Sequence, residues 1–299
     1  QPDVVFVDTI RLAFVVGRQA VKCQLIMDMD DLMSRRYSHY LESGGELEFG
    51  LLGARLAGIG KFLPERATQW LLRREVQRLK TEEAWAAGHF DKIVFTSSVE
   101  MRRFGDMVSE RRARLFAQSF IVKQRQTRAG TYQGAPLRFG FIGTDKVPQN
   151  RLTIQWLLWV WEKHDIAHKL VIAGQQKQLY KPQDNCEFLG FVRDLGEFYA
   201  NVDALVAPSF VKGGVKMKVL EAVGFECPVI GNRVTFEGID FPRDYHLRFR
   251  SEEALLSFLQ GDPEKISSEL NRARDALSEV RHRYSVEKYQ RFAQDLFGV

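Results

Sequence analysis

The stretch richest in chemistry is Ala207-Pro-Ser-Phe-Val-Lys-Gly-Gly-Val-Lys-Met-Lys-Val-Leu-Glu-Ala222. An apolar, strand-like run stops at Pro208, a glycine pair follows at Gly213 and Gly214, and amphipathic spacing then predicts a helix beginning near Gly214. Glycines let a backbone approach a ligand closely. The free N–H groups and positive dipole end of a helix favour phosphate. Helical periodicity puts Gly214, Lys218 and Glu221 on one face and Val215, Val219 and Ala222 on the opposite, core-facing stripe. A lysine beside phosphate and a carboxylate beside ribose hydroxyls would be nucleotide-binding chemistry. An ordinary solvent-facing helix carries the same i,i+3 pair.

A second constellation is Asp28-Met-Asp-Asp31, directly after an apolar run and followed by Ser34-Arg-Arg-Tyr37. Four readings are open. The pair Asp28 and Asp30 could ligate a metal and a nucleotide, or form a strand-end Mg²⁺ site for phosphoryl transfer. It could lie at the C-terminal edge of a sheet, facing a cleft, with one carboxylate as base toward an acceptor hydroxyl. It could also be an acidic N-cap before a helix at Leu32.

These residues need elements to hold them. Val4–Asp8, Gln24–Asp28 and Lys92–Thr96 read as buried strands, with a long helix from Glu65 to Ala87 and a capping box at Ser97–Glu100. The small, turn-rich run Ala129–Pro136 marks a domain boundary. After it, strands are expected at Leu137–Ile142, Lys169–Ala173, Cys186–Phe191, Ala204–Pro208 and Pro228–Gly231, with helices beginning near Asn150, Asp194 and Gly214. That alternation implies a parallel sheet with crossover helices. Trp156, Trp159 and Trp161 share a helix with Ile154, Leu157 and Leu158 and are assigned to the core. The last helix, Val286 to Phe297, spaces Tyr289, Phe292, Ala293 and Leu296 on one face.

In this order the segments resemble the donor domain of the GT-B family of bacterial polysaccharide glycosyltransferases (glycosyl transferases group 1, family 4-like). Phe139-Gly-Phe-Ile-Gly143 with Pro148-Gln-Asn150 is similar to the opening strand and loop of that domain, and Leu170-Val-Ile-Ala-Gly174 to its next strand. Phe188-Leu-Gly-Phe-Val192 with Asp194-Leu195 is similar to the base-contacting strand. Phe198-Tyr199 and Asp203 precede the glycine-rich loop, and Glu221-Ala222 and Pro228-Val-Ile230 close the pattern. The resemblance covers residues 137 to 240 well and the first half loosely. Many members carry Glu-x7-Glu; Glu221 matches the second, ribose-holding glutamate, and the first falls on Gly213. A Gly-Gly-Val-Lys variant of this loop occurs among relatives, so the resemblance still implies donor binding but does not carry over the sugar contacts of that first glutamate or the identity of the sugar. The Asp-x-Asp site of the other glycosyltransferase fold, GT-A, does not suit a chain whose surrounding pattern is GT-B.

The resemblance implies an α/β chain of two Rossmann-like domains facing a cleft, the first incomplete at its N-terminus. The domains would be 1–130 on the acceptor side and 137–282 on the donor side, with helix 283–299 crossing back to the first. It implies a metal-independent, hexosyltransferase-like enzyme with no cofactor, moving sugar from a nucleoside-diphosphate sugar to a hydroxyl acceptor. Gly143, Phe191, Val192, Gly213, Gly214, Val215, Lys218 and Glu221 would bind the donor, and Asp28 and Asp30 are the catalytic candidates. The acceptor would be a lipid-linked polysaccharide precursor, and the place of action the cytoplasm at the inner face of the membrane. A non-catalytic sugar-nucleotide-binding or scaffold protein keeping the same fold is the alternative, favoured by Gly213. A dinucleotide-dependent oxidoreductase is disfavoured, since no G-x-G-x-x-G follows a strand.

Bulk composition is compatible with this. The 299 residues are 45% hydrophobic and 27% charged, enough for two cores and against disorder. Cys23, Cys186 and Cys227 lie far apart and suggest buried free thiols rather than a disulfide frame or zinc site. No apolar run is long enough to span a bilayer, and no signal peptide is recognisable. The +5 net charge is concentrated at the front: residues 1–135 hold 21 Lys and Arg against 16 Asp and Glu. With the apolar, lightly basic segment Phe49–Leu63, this suggests peripheral contact with an anionic membrane, or equally a buried connector. Nucleic acid is not expected, because no basic tract is interleaved with aromatics.

Overall fold

The structure, a computed structural model, describes residues 2–17, 22–43, 65–108, 112–123 and 136–298. The Phe49–Leu63 segment and the expected break near Gly130 lie outside the described residues. The chain divides into two compact units. Unit 1 takes Gln1–Ser119, Val211–Val215 and Phe292–Val299; unit 2 takes Phe120–Phe210 and Lys216–Arg291.

Among the described residues, unit 1 is built on four parallel strands in sequential order, β1 (Val4–Asp8), β2 (Gln24–Asp30), β3 (Lys92–Phe95) and β4 (Arg114–Ala117). Between them run α1 (Ile10–Gly17), α2 (Met33–Ser43), α3 (Glu65–His89) and α4 (Ser98–Met107). The two-residue strand period separates two apolar sets. Met27, Ile93 and Phe95 pack with Ile10, Leu72, Val76, Leu79 and Phe104 of the helices. Ile26 and Val94 point the other way and are covered by Leu296, with Phe116 and Phe292 alongside. Lys92 Nζ donates to the Leu296 carbonyl, a cation at a helix C-terminus where the dipole favours it.

Only half of the expected capping box forms. Ser97 Oγ accepts from Glu100 N at 3.2 Å. The Glu100 carboxylate, 1% exposed, instead takes Leu32 N at 3.2 Å and the Arg35 guanidinium. Glu83, fully buried on the inner face of α3, accepts from Ser34 N at 3.0 Å. Two distant glutamates thus meet N–H groups at the start of α2.

Among the described residues, unit 2 has six parallel strands: β5 (Arg138–Ile142), β6 (Lys169–Ala173), β7 (Cys186–Gly190), β8 (Ala204–Val206), β9 (Val229–Asn232) and β10 (Arg248–Phe249). Its helices are α5 (Pro148–Lys163), α6 (Leu195–Ala200), α7 (Met217–Gly224), α8 (Glu252–Leu259) and α9 (Pro263–Arg283). A last helix, α10 (Val286–Phe297), begins among unit 2 residues and ends among those of unit 1. The strand order is β10-β9-β8-β5-β6-β7. The chain therefore winds outward from β5 to β7, returns, and winds the other way from β8. In such a sheet the crossovers diverge between β5 and β8, leaving a crevice at the C-terminal ends of those two strands.

Two expectations need correction here. The helix after β8 opens at Met217, not near Gly214, because Gly213 (φ 107°) and Gly214 (φ 64°) both take left-handed backbone and Lys216 is the N-cap. Val215 accordingly sits in the loop and does not extend the buried stripe of Val219 and Ala222. Of the three tryptophans on α5, only Trp161 is core, its Nε1 donating to His168 O at 2.8 Å. Trp156 is half-buried and Trp159 is exposed, with Lys163 Nζ 4.4 Å from its ring centre.

Candidate functional site

At the C-terminal end of β5 the chain passes through Gly143 and Thr144 and enters α5, whose N-cap Val147 offers no side-chain acceptor and whose first residue is Pro148. Asn150, in that first turn, donates from Nδ2 to Thr144 O at 3.1 Å. A side chain on Gly143 would meet that amide, since its Cβ would lie 2.7 Å from Asn150 Nδ2. The other amide atom, Asn150 Oδ1, accepts from Lys218 Nζ at 2.7 Å. The Lys218 ammonium also lies 4.1 Å above the centre of the buried Phe141 ring, a cation–π geometry. Burial lowers the Lys218 pKa from 10.5 to about 7; the charge of Lys216 adds to this and that of Glu221 opposes it.

One turn further along α7, Glu221 Oε2 accepts from the buried Tyr199 hydroxyl at 3.3 Å. Burial, then the Glu221 charge, pushes the Tyr199 phenol well above its ordinary value, so it remains a donor. Beside this face of α7 is a cavity of about 360 Å³, lined by Phe120–Lys123, Ile142, Met217, Lys218, Leu220, Glu221 and Gly224. Its lining brings together an amine, a carboxylate, the start of α7 and the apolar Phe120, Ile121 and Val122. The loop after β5 is stiffened by Asp145, 2% exposed, which accepts from Lys177 N at 2.6 Å and Gln178 N at 2.8 Å. Burial alone would raise that carboxyl, but these two N–H donors and the Tyr180 hydroxyl hold it below its usual range.

The remaining donor candidates fall in different places. Phe191 and Val192 follow the edge strand β7, with Phe191 74% exposed and Val192 half-buried. Gly213, Gly214 and Val215 group with unit 1. There Gly214 abuts the Asp31 carboxylate, whose Oδ2 would stand 2.6 Å from a Cβ at Gly214. Left-handed backbone and lack of space both require glycine at that position.

Asp28 and Asp30 lie at the C-terminal end of β2. Asp28 is half-buried beside Asp8, its register partner on β1. Burial raises its carboxyl, as do the charges of Asp30 and Asp8, against one hydrogen bond from Asp30 N at 2.9 Å. Asp30 is exposed and has left-handed backbone, φ 57°. Asp31 is engaged by the Arg36 guanidinium and by Thr96 Oγ1 at 2.8 Å, and Leu32 N turns to Glu100 instead. The acidic N-cap reading of this motif is thus replaced by Glu83 and Glu100. Among the described residues no three His, Cys, Asp or Glu side chains converge as metal ligands, and no helix is long and apolar enough to cross a membrane.

Sequence spacing did not single out Phe141, Asn150 or Tyr199 as site residues, although all three fall within motifs already named. Each reaches the site through a strand or helix distant in sequence, and no spacing rule reports that.

Residues 136–272 match the family described as glycosyl transferases group 1. No curated protein matches the chain. Solved structures superpose on nearly all of it at low identity. One is a mutant of S. aureus TarM in complex with Fondaparinux, alpha-GlcNAc-glycerol and UDP (TM-score 0.63, 12% identity), in which 99% of this chain covers 55% of the other. Anabaena HepE in complex with UDP and glucose gives a TM-score of 0.63 at 11% identity, with 99% and 78% covered. The UDP-forming α,α-trehalose-phosphate synthase from Burkholderia xenovorans gives 0.64 at 10% identity, with 99% and 74% covered. The chain thus spans about half the length of TarM and about three quarters of the other two. It has the GT-B fold, and its residues 136–272 are similar to the glycosyl transferases group 1 family.

Proposed function

We propose that this protein transfers a hexosyl group from a nucleoside-diphosphate sugar to a hydroxyl acceptor. The observation that carries the reading is the placement of Lys218 and Glu221 on one face of α7, lining a cavity at the end of β5. Lys218 and the N-terminus of α7 would stabilise the departing diphosphate, the main electrostatic demand of the reaction. Glu221 would accept from ribose hydroxyls, and Phe191 and Val192 would border the base. Gly213, Gly214 and Val215 would bring backbone N–H groups to the donor, and Gly143 would allow close approach at the end of β5. Asp28, with its raised pKa, or Asp30 would take the proton of the acceptor hydroxyl. Fixed positive charge would replace a resident metal; activity abolished by a chelator and restored by Mn²⁺ or Mg²⁺ would reverse this point.

The deciding experiment is calorimetric titration of UDP and of uridine into wild type, Glu221→Ala and Lys218→Ala. A hydrogen bond to a charged group is worth about 1.5–3 kcal/mol, so Glu221→Ala is expected to weaken UDP by roughly one to two orders of magnitude. Lys218→Ala is expected to weaken UDP more than uridine. Wild-type binding that neither change affects would reduce the pair to ordinary helix-surface charges. The second reading, a non-catalytic sugar-nucleotide-binding or scaffold protein, is favoured by Gly213 standing where many relatives have a glutamate. Transfer or slow hydrolysis of a UDP-sugar would decide against it.

The acceptor is proposed to be a lipid-linked polysaccharide precursor, met at the inner face of the membrane. Trp70 on α3 is 57% exposed, with the Arg74 guanidinium 5.6 Å from its ring centre and Arg66 and Arg73 on the same helix face. This aromatic and cationic face suits an anionic lipid surface. Co-sedimentation with anionic liposomes is expected at low salt, to weaken with added salt, and to drop on Trp70→Ala. Its absence at low salt would remove membrane contact from the reading.

A further inference from the structure

We propose that Asn150 is a positioning residue for the donor diphosphate: its side-chain carbonyl fixes the Lys218 amine over the Phe141 ring, beside the end of β5. The inference rests on the donor reading of the same site and adds a residue and a control to it.

The geometry is specific. The amide of Asn150 is oriented by its other end, where Nδ2 donates to Thr144 O at 3.1 Å. Thr144 is itself held by its Oγ1 donating to Gln175 O at 2.7 Å. The carbonyl end is thereby left facing Lys218 Nζ at 2.7 Å. The absence of a side chain at Gly143 is what gives the amide room. The ring of Phe141, 1% exposed, supplies the other favourable surface.

The charged groups acting on Lys218 are few. They are Lys216, the N-cap of α7, which disfavours its proton, and Glu221 on α7, which favours it. Lys123 lines the same cavity. The contacts from β5 and α5 are the neutral Phe141 ring and Asn150 amide. A neutral acceptor has a functional advantage here. It holds the amine charged and aimed without adding a negative charge that would repel an incoming diphosphate. A carboxylate at this position would keep the proton better and the ligand worse.

The test separates the two effects. The Lys218 amine is titrated by NMR with side-chain-labelled lysine, in the absence of any ligand, and assigned by the signal lost in Lys218→Arg. Asn150→Leu is expected to lower its midpoint by about one pH unit or more, the scale of one hydrogen bond to a charged group. Asn150→Asp is expected to raise it, and serves as the second variant if Asn150→Leu does not fold. UDP titration then follows on the same proteins. Both variants are expected to bind UDP at least tenfold more weakly at neutral pH, with uridine affinity unchanged. A Lys218 midpoint that neither variant moves would overturn the proposal whether or not UDP binds. If the midpoints move as expected but wild type does not bind UDP, the control of Lys218 stands and the uridine-diphosphate reading of the site fails.

Discussion

Lys218 is an amine held in surroundings that disfavour its charge. With its pKa brought down to about 7 by burial, the unfolded chain, where the value is near 10.5, binds the extra proton between those two pH values. This group alone therefore makes the unfolding free energy rise as pH goes up from about 7 toward 10.5, and its destabilising effect is fully present below about 7. On the proposed donor reading a bound diphosphate needs the ammonium, so affinity is expected to run the other way and fall as pH rises through about 7. Lys218→Met is expected to remove both slopes. The measurement is urea unfolding and UDP titration of both proteins from about pH 6 to about pH 9. Parallel profiles for wild type and variant would show that another group titrates. Glu221 poses a different problem, since its carboxylate already accepts from Tyr199. Tyr199→Phe should leave it less well oriented, and a several-fold loss of UDP affinity is expected, smaller than for Glu221→Ala. Equal losses for the two variants would mean that the Glu221 contact with UDP depends wholly on Tyr199.

At the scale of elements, α7 is bounded by two left-handed turns built from different residues. At its start, glycines 213 and 214 take φ 107° and 64° and stop the helix from extending backward. At its end, Glu226 N donates to Val223 O at 3.1 Å and Cys227 N to Ala222 O at 2.9 Å, the two bonds of a Schellman closure. The left-handed position of that closure usually belongs to glycine, yet here it is Glu226 at φ 54°. Its carboxylate takes Arg281 Nη1 at 3.1 Å and its carbonyl takes Arg274 Nε at 3.1 Å, which ties the end of α7 to α9. Glu226→Gly would relieve left-handed strain of about 1–2 kcal/mol but lose a charged hydrogen bond of about 1.5–3 kcal/mol. A net destabilisation of roughly 1 kcal/mol is expected. Glu226→Ala loses the same pair and keeps the strain, so it should be less stable than Glu226→Gly by about 1 kcal/mol. Urea unfolding of the three proteins checks the order; an alanine variant as stable as the glycine one would show that the strain is absent.

At the scale of the whole chain, the first unit is completed by the last residues. Helices α1 to α4 cover one face of its sheet, and the other face, with Ile26 and Val94, is covered by Leu296 and Phe292. A sheet with one bare apolar face is not a stable end point. Leu296→Ala is expected to cost about 2–5 kcal/mol, as for other large-to-small changes in a core. The loss should show as faster amide exchange in β2 and β3, with β5, β6 and β8 of unit 2 unchanged. Uniform loss of protection across both units would mean that the two unfold as one. Removal of residues 292–299 should have the same sign and a larger effect.

Much of this was legible beforehand, for a physical reason. Strands and helices that bury one face carry their period in the chain, so β1, β6 and α3 fall within a residue or two of where apolar spacing put them. The ordered motifs from Phe139 to Ile230 carried the fold class in the same way. What spacing could not report is anything that depends on residues far apart meeting. The expectation that α7 began at Gly214 failed because two glycines prefer left-handed backbone to a helical turn. Of the open readings of the Asp28–Asp31 motif, the acidic N-cap does not hold, because Glu83 and Glu100, about 50 and 70 residues onward, accept from the N–H groups at the start of α2. Trp159 followed the apolar helical pattern and is nonetheless exposed, because two tryptophans two positions apart point to different sides of a helix and only Trp161 turns inward. The pairing of Lys218 with Asn150, 68 residues apart, exists only because β5 and β8 are neighbours in the sheet. The amino-acid order determined which segments are strands and which are helices. Tertiary structure decided which side chains share a cavity and what charge the amine among them carries, because both depend on burial and on partners that no local pattern encodes.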